Sequence, residues 1–572
     1  MVDQADQADH CGDLDRSLHA AQARLTGGLS MTALSLAWAD WALHLADQPG
    51  RQMELAQEAA SGWSALMRQA AGLHYEPLKP DAQDHRFQSP GWQSGPAALT
   101  SQLFLRVADF WNKATTNTQG VARRNERIVN FSVRQILDVM APSNIPFCNP
   151  EVLTQAQTTQ GDSLRQGVEN FIEDLRRAGS TKAQELPLQP GKDVAVTPGK
   201  VVFRNELLEL IQYEPTTKTV KPEPVLIIPA WIMKYYILDL SPQNSMVKYL
   251  VDQGFTVFCI SWRNPDASLR DMGLDDYRQL GAMAAIDAIT AICGDVKVHA
   301  AGYCLGGTLL SITAATMARD HDERLATVTL LAAQTDFTEA GELQLFINES
   351  QLHFLDDVMW AQGYLDAQQM SGAFQMLRAN DLVWSQMIRR YYLGETEHTN
   401  DLMSWNMDST RMPYRMHSEY LRKLFLKNDL AEGRYEAGGR KISLADIHLP
   451  FYVIGTETDH IAPWRSVYKV QQLNQSDLTF VLTSGGHNAG VVSEPGHPRR
   501  HFCKLQRKPG DLFIPPDEWQ SHATCQEGSW WVDWAGWLTV HSGKAGGLPA
   551  LGAPKAGYPV LGAAPGDYIF QR

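Results

Sequence analysis

A glycine-rich turn, GYCLGG at residues 302–307, constrains the fold of this chain more than any other feature. A β-type run at residues 296–301 precedes it, and an apolar helix-forming stretch at residues 308–318 follows it. Strand, sharp turn and helix in this order form a nucleophile elbow, with Cys where G-x-S-x-G has Ser. The pattern predicts a reactive Cys304 at the carboxyl end of a strand. The alternative is a buried, structural Cys304 beside a glycine-rich turn.

The chain after residue 200 repeats this alternation of strand and helix. Most of its β-type runs are continuously apolar, as in strands that are buried on both faces. They lie at residues 201–203, 207–213, 225–230, 256–262, 296–303, 327–334, 451–456 and 478–483. Helix-forming stretches separate several of them, which predicts the fold class α/β with a parallel sheet and right-handed crossovers.

Between residues 336 and 450 the strand signal disappears. This segment is rich in Phe, Leu, Met and Trp and is too long for a loop in a compact domain. We therefore expect an inserted helical cap at about residues 337–445. It should lie over the carboxyl edge of the sheet, where α/β sheets bind ligands.

The N-terminal third of the chain has a different character. Residues 1–15 are predicted to be an acidic tail and residues 16–185 a mostly helical domain. Residues 186–200 contain three Pro and two Gly, which indicates a linker. The catalytic domain is predicted at residues 201–572.

One stretch of the N-terminal domain has apolar residues at alternating spacings of three and four. They are Met31, Leu34, Trp38, Trp41 and Leu45. Such spacing predicts one face of an amphipathic helix. Two interpretations remain open: the stripe packs within its own domain, or it docks on an apolar phase or a partner.

Charge and cysteine content exclude several classes of function. Lys and Arg number 50 against 64 Asp and Glu, a net charge of −14 without a basic run, so we expect no nucleic-acid binding. No apolar run reaches the ~18 residues of a spanning helix, and the acidic start lacks the pattern of a secretory signal. We therefore expect a cytoplasmic protein. The seven cysteines are scattered without a C-x-x-C pair, which predicts neither a disulfide framework nor a zinc site, and no cofactor is indicated.

The partners of an elbow nucleophile are expected just past later strands, in the order nucleophile, acid, base. Asp459 and His487 follow two such strands, so Cys304, Asp459 and His487 form the predicted triad. His487 would take the proton of the nucleophile and Asp459 would fix the tautomer of the ring. His460 is the alternative base, and Asp336, one strand earlier, is the alternative acid.

Two backbone N–H groups are expected to stabilise a developing oxyanion. The first is that of Leu305, at the N-terminus of the helix after the elbow. The second should come from the turn after strand 225–230, from Trp231 or Ile232. The same helix end would favour the thiolate form of Cys304.

The sequence resembles the polyhydroxyalkanoate synthases, in particular the class I poly(3-hydroxybutyrate) polymerases, over nearly its whole length. The resemblance lies in KYYILDLSPQNSMVKYLVDQGFTVFCISWRNPD (234–266), AGYCLGGT (301–308), NDLVWS (380–385), TDHIAPW (458–464), GGHNAGVV (485–492), GSWWVDWAGWL (528–538) and the N-terminal residues 24–59. It places the family's nucleophile on Cys304, its acid on Asp459 and its base on His487.

That resemblance implies an α/β-hydrolase fold with an inserted helical cap, preceded by the helical N-terminal domain. It implies polymerisation of (R)-3-hydroxyacyl-CoA, with 3-hydroxybutyryl-CoA as the expected substrate, through an acyl thioester on the cysteine and with release of CoA. It also implies a homodimer that resides on polymer granules together with granule-associated proteins.

Two positions depart from the pattern of the family. Met233 stands where an Asn is usual, beside the expected oxyanion loop, and Asn488 stands where an apolar residue is commoner, directly after His487. Both bear on substrate preference and rate more than on reaction type.

Two other functions remain as alternatives. One is a Cys-dependent hydrolase of the thioesterase or dienelactone-hydrolase type, which shares the elbow and the order of the triad. The other is an inactive granule-binding scaffold. The N-terminal domain and the cap argue against the first, and the intact triad argues against the second.

Two further sets of residues have expected roles. Basic groups for the CoA phosphates are expected among Lys234, Arg263, Arg389 and Arg390. The cluster Trp530, Trp531, Trp534 and Trp537 is expected to serve packing, with a polymer-contacting platform as the alternative.

Overall fold

The computed structural model describes residues 14–23, 26, 28–81, 84–178, 186–366, 369, 383–396 and 400–572. Most of the predicted acidic tail and part of the predicted cap lie outside these residues. The chain divides into two compact units. The smaller comprises Leu25–Gln184 and Ser371–His398, and the larger comprises Met1–Arg24, Glu185–Met370 and Thr399–Arg572.

The smaller unit is helical throughout its described elements. Its α-helices are α1 (Met31–Ala46), α2 (Pro49–Ala70), α3 (Gly95–Ala114), α4 (Arg123–Val139), α5 (Pro150–Thr158) and α6 (Asp162–Ala178). Polar side chains set the start of two of them, because they accept from backbone N–H groups that have no partner within the helix. Ser30 caps α1 and Asn149 caps α5.

The predicted stripe on α1 is half-buried for most of its length. The Trp41 indole N–H donates to the carbonyl oxygen of Ala114 at 2.9 Å, and the rings of Trp38 and Trp41 meet edge to face at 5.4 Å. These contacts favour packing within the unit for that face. Leu36 and Leu43, which the stripe does not include, are 61% and 71% exposed.

A piece of the predicted cap packs in the smaller unit. The Arg390 guanidinium donates to both carboxylate oxygens of Asp174 on α6, at 2.6 and 2.8 Å. Asn170, also on α6, donates to the carbonyl oxygen of Arg390 at 2.9 Å. The domain limits predicted from the sequence therefore stay a prediction, with residues 383–396 packed beside α6.

An eleven-stranded mixed sheet organises the described part of the larger unit. Its strands are β1 (Gly199–Arg204), β2 (Leu208–Tyr213), β3 (Val225–Ile228), β4 (Val257–Trp262), β5 (Val298–Tyr303), β6 (Leu325–Leu331), β7 (Phe451–Thr456), β8 (Leu478–Thr483), β9 (His501–Arg507), β10 (Thr524–Glu527) and β11 (Gly562–Ala563). The spatial order is β10-β9-β8-β7-β6-β5-β3-β4-β2-β1-β11.

The central strands β4, β3, β5, β6, β7 and β8 run parallel, and the flanking pairs are antiparallel. Helices connect the parallel strands and cover both faces, so the predicted α/β class is confirmed. The α-helices of this unit include α7 (Met246–Asp252), α8 (Ala284–Cys293), α9 (Leu305–Arg319), α10 (Glu349–Gln362), α11 (Asp401–Asn406), α12 (Tyr414–Glu419), α13 (Trp464–Tyr468), α14 (Pro516–His522) and α15 (Trp530–Val540). Among the described helices, none is long and apolar enough to cross a bilayer.

The insertion between β6 and β7 is mainly helical in the part that belongs to the larger unit. It contains α10, α11, α12 and a π-helical turn at Tyr420–Leu426 that continues α12. Two short antiparallel ribbons complete it, Tyr364–Leu365 with Met412–Pro413 and Glu436–Ala437 with Arg440–Lys441.

The tryptophan cluster of α15 packs the sheet rather than facing solvent. Trp530, Trp531 and Trp534 are fully buried. Their indole N–H groups donate to Gly490, Val491 and Thr329. Packing is therefore the role of these three side chains, because a contact platform would have to be exposed.

One expectation about the cysteines was wrong. Cys503 on β9 and Cys525 on β10 form a disulfide. They are 22 residues apart, and the antiparallel register places them directly opposite each other. The scattered spacing gave no sign of this pair because strand register, not sequence separation, brings the two together.

The turn between β5 and α9 leaves no room for a side chain at Gly302 or Gly306. Cys304 has φ 51° and ψ −121°, a conformation that costs free energy for any residue with a Cβ. A methyl group on Gly306 would lie 2.0 Å from the carbonyl oxygen of Ile228, at the end of β3. One on Gly302 would lie 2.4 Å from the Cα of Gly307. The first turn of α9 therefore touches the ends of β3 and β5 directly.

We expect Gly306→Ala to lower the free energy of unfolding by about 3 kcal/mol, since overpacking costs up to that much and the obstacle here is backbone. Gly536→Ala is the matched control, because no atom lies within 4 Å of an added methyl group on this α15 glycine. It should be neutral or stabilising by up to about 1 kcal/mol. Urea unfolding of both variants measures the difference, and equal stabilities would contradict the steric interpretation.

Candidate active site

Cys304 lies at the sharpest point of the elbow and is partly exposed. Its N–H donates to the carbonyl oxygen of Leu331 on β6 at 2.9 Å, and its own carbonyl oxygen accepts from the N–H of Gly307 at 2.9 Å. The backbone of the residue is thus fixed on both sides. The thiol remains available for chemistry at the carboxyl edge of the sheet.

His487 and Asp459 meet beside this thiol. Nδ1 of His487 is 2.8 Å from Oδ2 of Asp459, and both side chains are buried. Cys304 lies close enough to the same imidazole to act on its charge. The structure therefore brings the three predicted residues together in the order thiol, imidazole, carboxylate.

Asp459 is held ionised by a full set of donors. Besides His487, it accepts from the Thr456 hydroxyl at 2.9 Å and from the N–H groups of Ile461 and Ala462 at 2.9 and 2.8 Å. Burial alone would raise the pKa of Asp459, but His487 and these donors lower it below the ordinary 3.8. The buried carboxylate therefore keeps its charge.

The imidazole of His487 is correspondingly basic. Burial lowers its pKa, but the charge of Asp459 and the interaction with Cys304 outweigh burial, and the pKa lies well above the ordinary 6.5. A ring of this basicity can take the thiol proton and hold it.

The alternative acid, Asp336, is engaged in a local turn. Its carboxylate accepts from the N–H of Thr338 at 2.8 Å and lies 3.9 Å from Nζ of Lys469. The carboxylate that contacts the base is that of Asp459. The alternative base, His460, is half-buried beside it in the chain.

The residues expected to supply oxyanion donors flank the elbow. Leu305 is the first residue of α9, so its N–H belongs to the group that an α-helix leaves without internal partners. The loop with Trp231 and Ile232 leaves β3, whose last carbonyl group lies against Gly306. Thr410 fixes this loop, because its hydroxyl donates to the carbonyl oxygen of Trp231 at 2.7 Å.

An aromatic cluster from the insertion approaches the thiol through Tyr420. Tyr420 is buried, and its ring packs edge to face on Phe425 at 5.3 Å. The ring centroids of Phe337 and Phe425 are 4.7 Å apart. Burial and the nearby Cys304 raise the pKa of Tyr420 well above its usual 10, so this wall of the site is uncharged.

Three of the four candidate basic residues for CoA phosphates are engaged with other groups of the protein. Lys234 is only 4% exposed, and its Nζ donates to the carbonyl oxygens of Tyr568 and Gln571 at 3.2 and 2.7 Å. Burial lowers the pKa of Lys234 to about 8, and this side chain does not face solvent. Arg263 pairs with Asp266.

Arg390 pairs with Asp174 in the smaller unit. Its neighbour Arg389 is exposed. Of the four candidates, Arg389 is therefore the one most accessible to a phosphate.

Two contributors to the site carry no sequence signal. The Thr456 hydroxyl supports Asp459 from the last residue of β7. The Tyr303 hydroxyl donates to Oδ1 of Asn488 at 2.6 Å, so the unusual Asn488 has a partner on the strand that carries the elbow. In the sequence, the one indication of a role for Thr456 or Tyr303 is its position close to a triad residue.

Comparison with known proteins gives matches over almost the whole chain. The family model "Poly-beta-hydroxybutyrate polymerase N terminal" matches residues 11–51, and "Poly-beta-hydroxybutyrate polymerase (PhaC) N-terminus" matches residues 83–250. The model "alpha/beta hydrolase fold" matches residues 223–493. The predicted hydrolase-type fold is therefore confirmed.

Curated relatives agree with these models. The poly(3-hydroxyalkanoate) polymerase of Methylorubrum extorquens is 38% identical over 91% of this chain and 86% of its own. The poly(3-hydroxyalkanoate) polymerase subunit PhaC of Rhizobium etli is 37% identical over 88% and 80%, and that of Cupriavidus necator is 35% identical over 91% and 88%. The chain therefore belongs to the poly(3-hydroxyalkanoate) polymerase family of acyltransferases.

Proposed function

We propose that this enzyme polymerises (R)-3-hydroxyacyl-CoA, with 3-hydroxybutyryl-CoA as its substrate, into polyhydroxyalkanoate and releases CoA. The reaction passes through an acyl thioester on Cys304. The observation that carries this proposal is the buried contact between His487 and Asp459 beside the elbow thiol. Membership of the polymerase family supports the substrate class.

Acylation begins with transfer of the Cys304 proton to His487. The thiolate attacks the thioester carbonyl of the substrate, and the N–H of Leu305 with one from the Trp231–Ile232 loop stabilises the oxyanion. Collapse of the tetrahedral intermediate breaks the carbon–sulfur bond to CoA. The CoA thiolate leaves with the proton that His487 holds, and Asp459 stabilises the imidazolium in between.

Chain growth uses the 3-hydroxyl group of a monomer or growing chain as acceptor. His487 removes its proton, the alkoxide attacks the acyl thioester, and an ester bond replaces the bond to Cys304. The sulfur leaves as thiolate and is ready for the next acyl-CoA. A thiol suits this cycle because thioester-to-thioester exchange conserves the energy that drives ester formation.

Water is the competing acceptor, and its attack would turn the enzyme into a thioesterase. The rings of Phe337, Tyr420 and Phe425 pack on one another as an apolar wall, and Tyr420 brings this wall close to the thiol. Exclusion of water from such a site favours transfer to the hydroxyl acceptor. This wall is the part of the insertion that we assign to acceptor selection.

We assign attachment to the polyester granule to the smaller unit. Its helices and turns expose many large apolar side chains, among them Leu36, Leu43, Trp63, Phe147 and Val168. Exposed apolar surface of this extent is typical of proteins that dock on an apolar phase or a partner. Granule residence within the cytoplasm and a homodimer follow as proposals, the latter testable by sedimentation.

Cys304→Ala should abolish both CoA release and polymer formation from 3-hydroxybutyryl-CoA, while the circular dichroism spectrum stays that of the wild type. Cys304→Ser should keep at most a trace, because a hydroxyl needs stronger activation than a thiol. Assaying CoA release together with product size also separates polymerase from thioesterase. Normal turnover by the Ala variant would contradict the mechanism.

Asp459→Asn should reduce kcat by roughly 10⁴, as in a serine triad, because an amide cannot stabilise the imidazolium. Asp336→Asn is the matched control and should stay within about threefold of the wild type, since its carboxylate contacts Thr338 and not the base. Steady-state CoA release measures both. A larger loss in the Asp336 variant would assign the acid to that residue.

Leu36→Glu combined with Leu43→Glu should weaken binding to poly(3-hydroxybutyrate) particles at least tenfold, because each buried Leu contributes about 1.5–3 kcal/mol. Gln155→Glu with Gln157→Glu adds the same two charges at exposed polar positions of α5 and should leave binding unchanged. Co-sedimentation with washed particles measures the bound fraction. Equal binding by the two double variants would exclude this face of α1 from attachment.

A further inference from the structure

Two residues that adjoin the triad are joined to each other. Tyr303 directly precedes Cys304, and Asn488 directly follows His487. The Tyr303 hydroxyl donates to Oδ1 of Asn488 at 2.6 Å. The Tyr303 ring also lies beside the imidazole of His487, with centroids 5.6 Å apart and planes inclined by 33°. Tyr303 is only 3% exposed.

This contact connects two parts of the sheet that no ladder joins directly. Cys304 follows β5 and His487 follows β8, and both β6 and β7 stand between these strands. At about 4.8 Å per strand, β5 and β8 are roughly 14 Å apart. The distance from thiol to imidazole therefore depends on side chains that reach across the carboxyl edge.

The pair is well suited to that task. A hydrogen bond between a buried hydroxyl and an amide oxygen fixes both side chains, and the aromatic ring limits rotation of the imidazole that it contacts. Asp459 holds the same imidazole through Nδ1. His487 thus has one polar contact and one aromatic contact.

We propose that Tyr303 and Asn488 are a positioning pair that holds the imidazole of His487 against the thiol of Cys304. The inference rests on the proposed cysteine mechanism and assigns a role to the unusual Asn488. Neither residue takes part in proton transfer itself. Their effect reaches the reaction through the geometry of the thiol–imidazole contact.

The reactivity of Cys304 toward iodoacetamide between pH 5 and 9 reports on that contact without any substrate. The full-length protein is alkylated, and the Cys304 peptide is quantified by mass spectrometry. The titratable groups around the contact are Asp459 on the imidazole, Tyr303 beside it and Tyr420 from the insertion. Wild-type Cys304 should remain reactive at pH values well below about 8.5, where an ordinary thiol is protonated and unreactive.

Tyr303→Phe and Asn488→Leu should each move the midpoint of the alkylation profile upward by about one pH unit. Each should lower kcat at least tenfold and leave KM within twofold. Each single variant also leaves one polar group unpaired, which costs stability, whereas the double variant leaves none. The double variant should therefore regain thermal stability and still show the shifted profile.

Tyr452→Phe is the matched control. Its hydroxyl is also buried and donates to Asp533 at 2.8 Å, in contact with α15 rather than with the triad. It should lower the melting temperature by a similar amount and leave the Cys304 profile unchanged.

Single variants that lose stability but keep the wild-type profile and kcat would overturn the inference and reduce the pair to packing. The inference would also be overturned if the double variant regained both its thermal stability and the wild-type pH profile of Cys304 alkylation. An ordinary thiol profile in the wild type would contradict the proposed cysteine mechanism itself, and this inference with it.

Discussion

The geometry of the site depends on direct backbone contact between the first turn of α9 and the ends of β3 and β5. Gly302 and Gly306 permit this contact, and Cys304 takes up a positive φ at the turn. The same contact sets the thiol at the carboxyl edge, aligns the N–H of Leu305 and brings the loop after β3 alongside. A bulkier residue at either glycine would force α9 away from these strand ends and so displace all three groups at once.

The electrostatics of the site solve a second problem, that of burying a charge. A carboxylate such as Asp459 tolerates burial only when donors satisfy it, and four donors do so. The charge is then available to raise the basicity of His487 without neutralising itself by protonation. Aromatic side chains from the insertion keep the surroundings apolar, which strengthens every interaction within the site.

Local sequence patterns were sufficient to predict the fold class and the residues that meet at the site. Strand–turn–helix context identified Cys304, and position after later strands identified Asp459 and His487, because parallel strands bring their carboxyl ends to one edge. These patterns could not predict the disulfide between Cys503 and Cys525, the burial of Lys234 or the partner of Asn488. Each results from the register or packing of segments that are distant in the chain, and no short motif encodes them.

The pairing of the first strand of the sheet with the last has a consequence for synthesis of the protein on the ribosome. β11 pairs with β1 more than 350 residues earlier, through Lys200 with Ala563 and Val201 with Gly562. Lys234, in the loop after β3, takes its hydrogen-bond acceptors from Tyr568 and Gln571. Pairing at such separation is slow, and domains fold as units during translation. The nascent chain therefore cannot complete this edge of the sheet, or give Lys234 its acceptors, until these last segments have emerged.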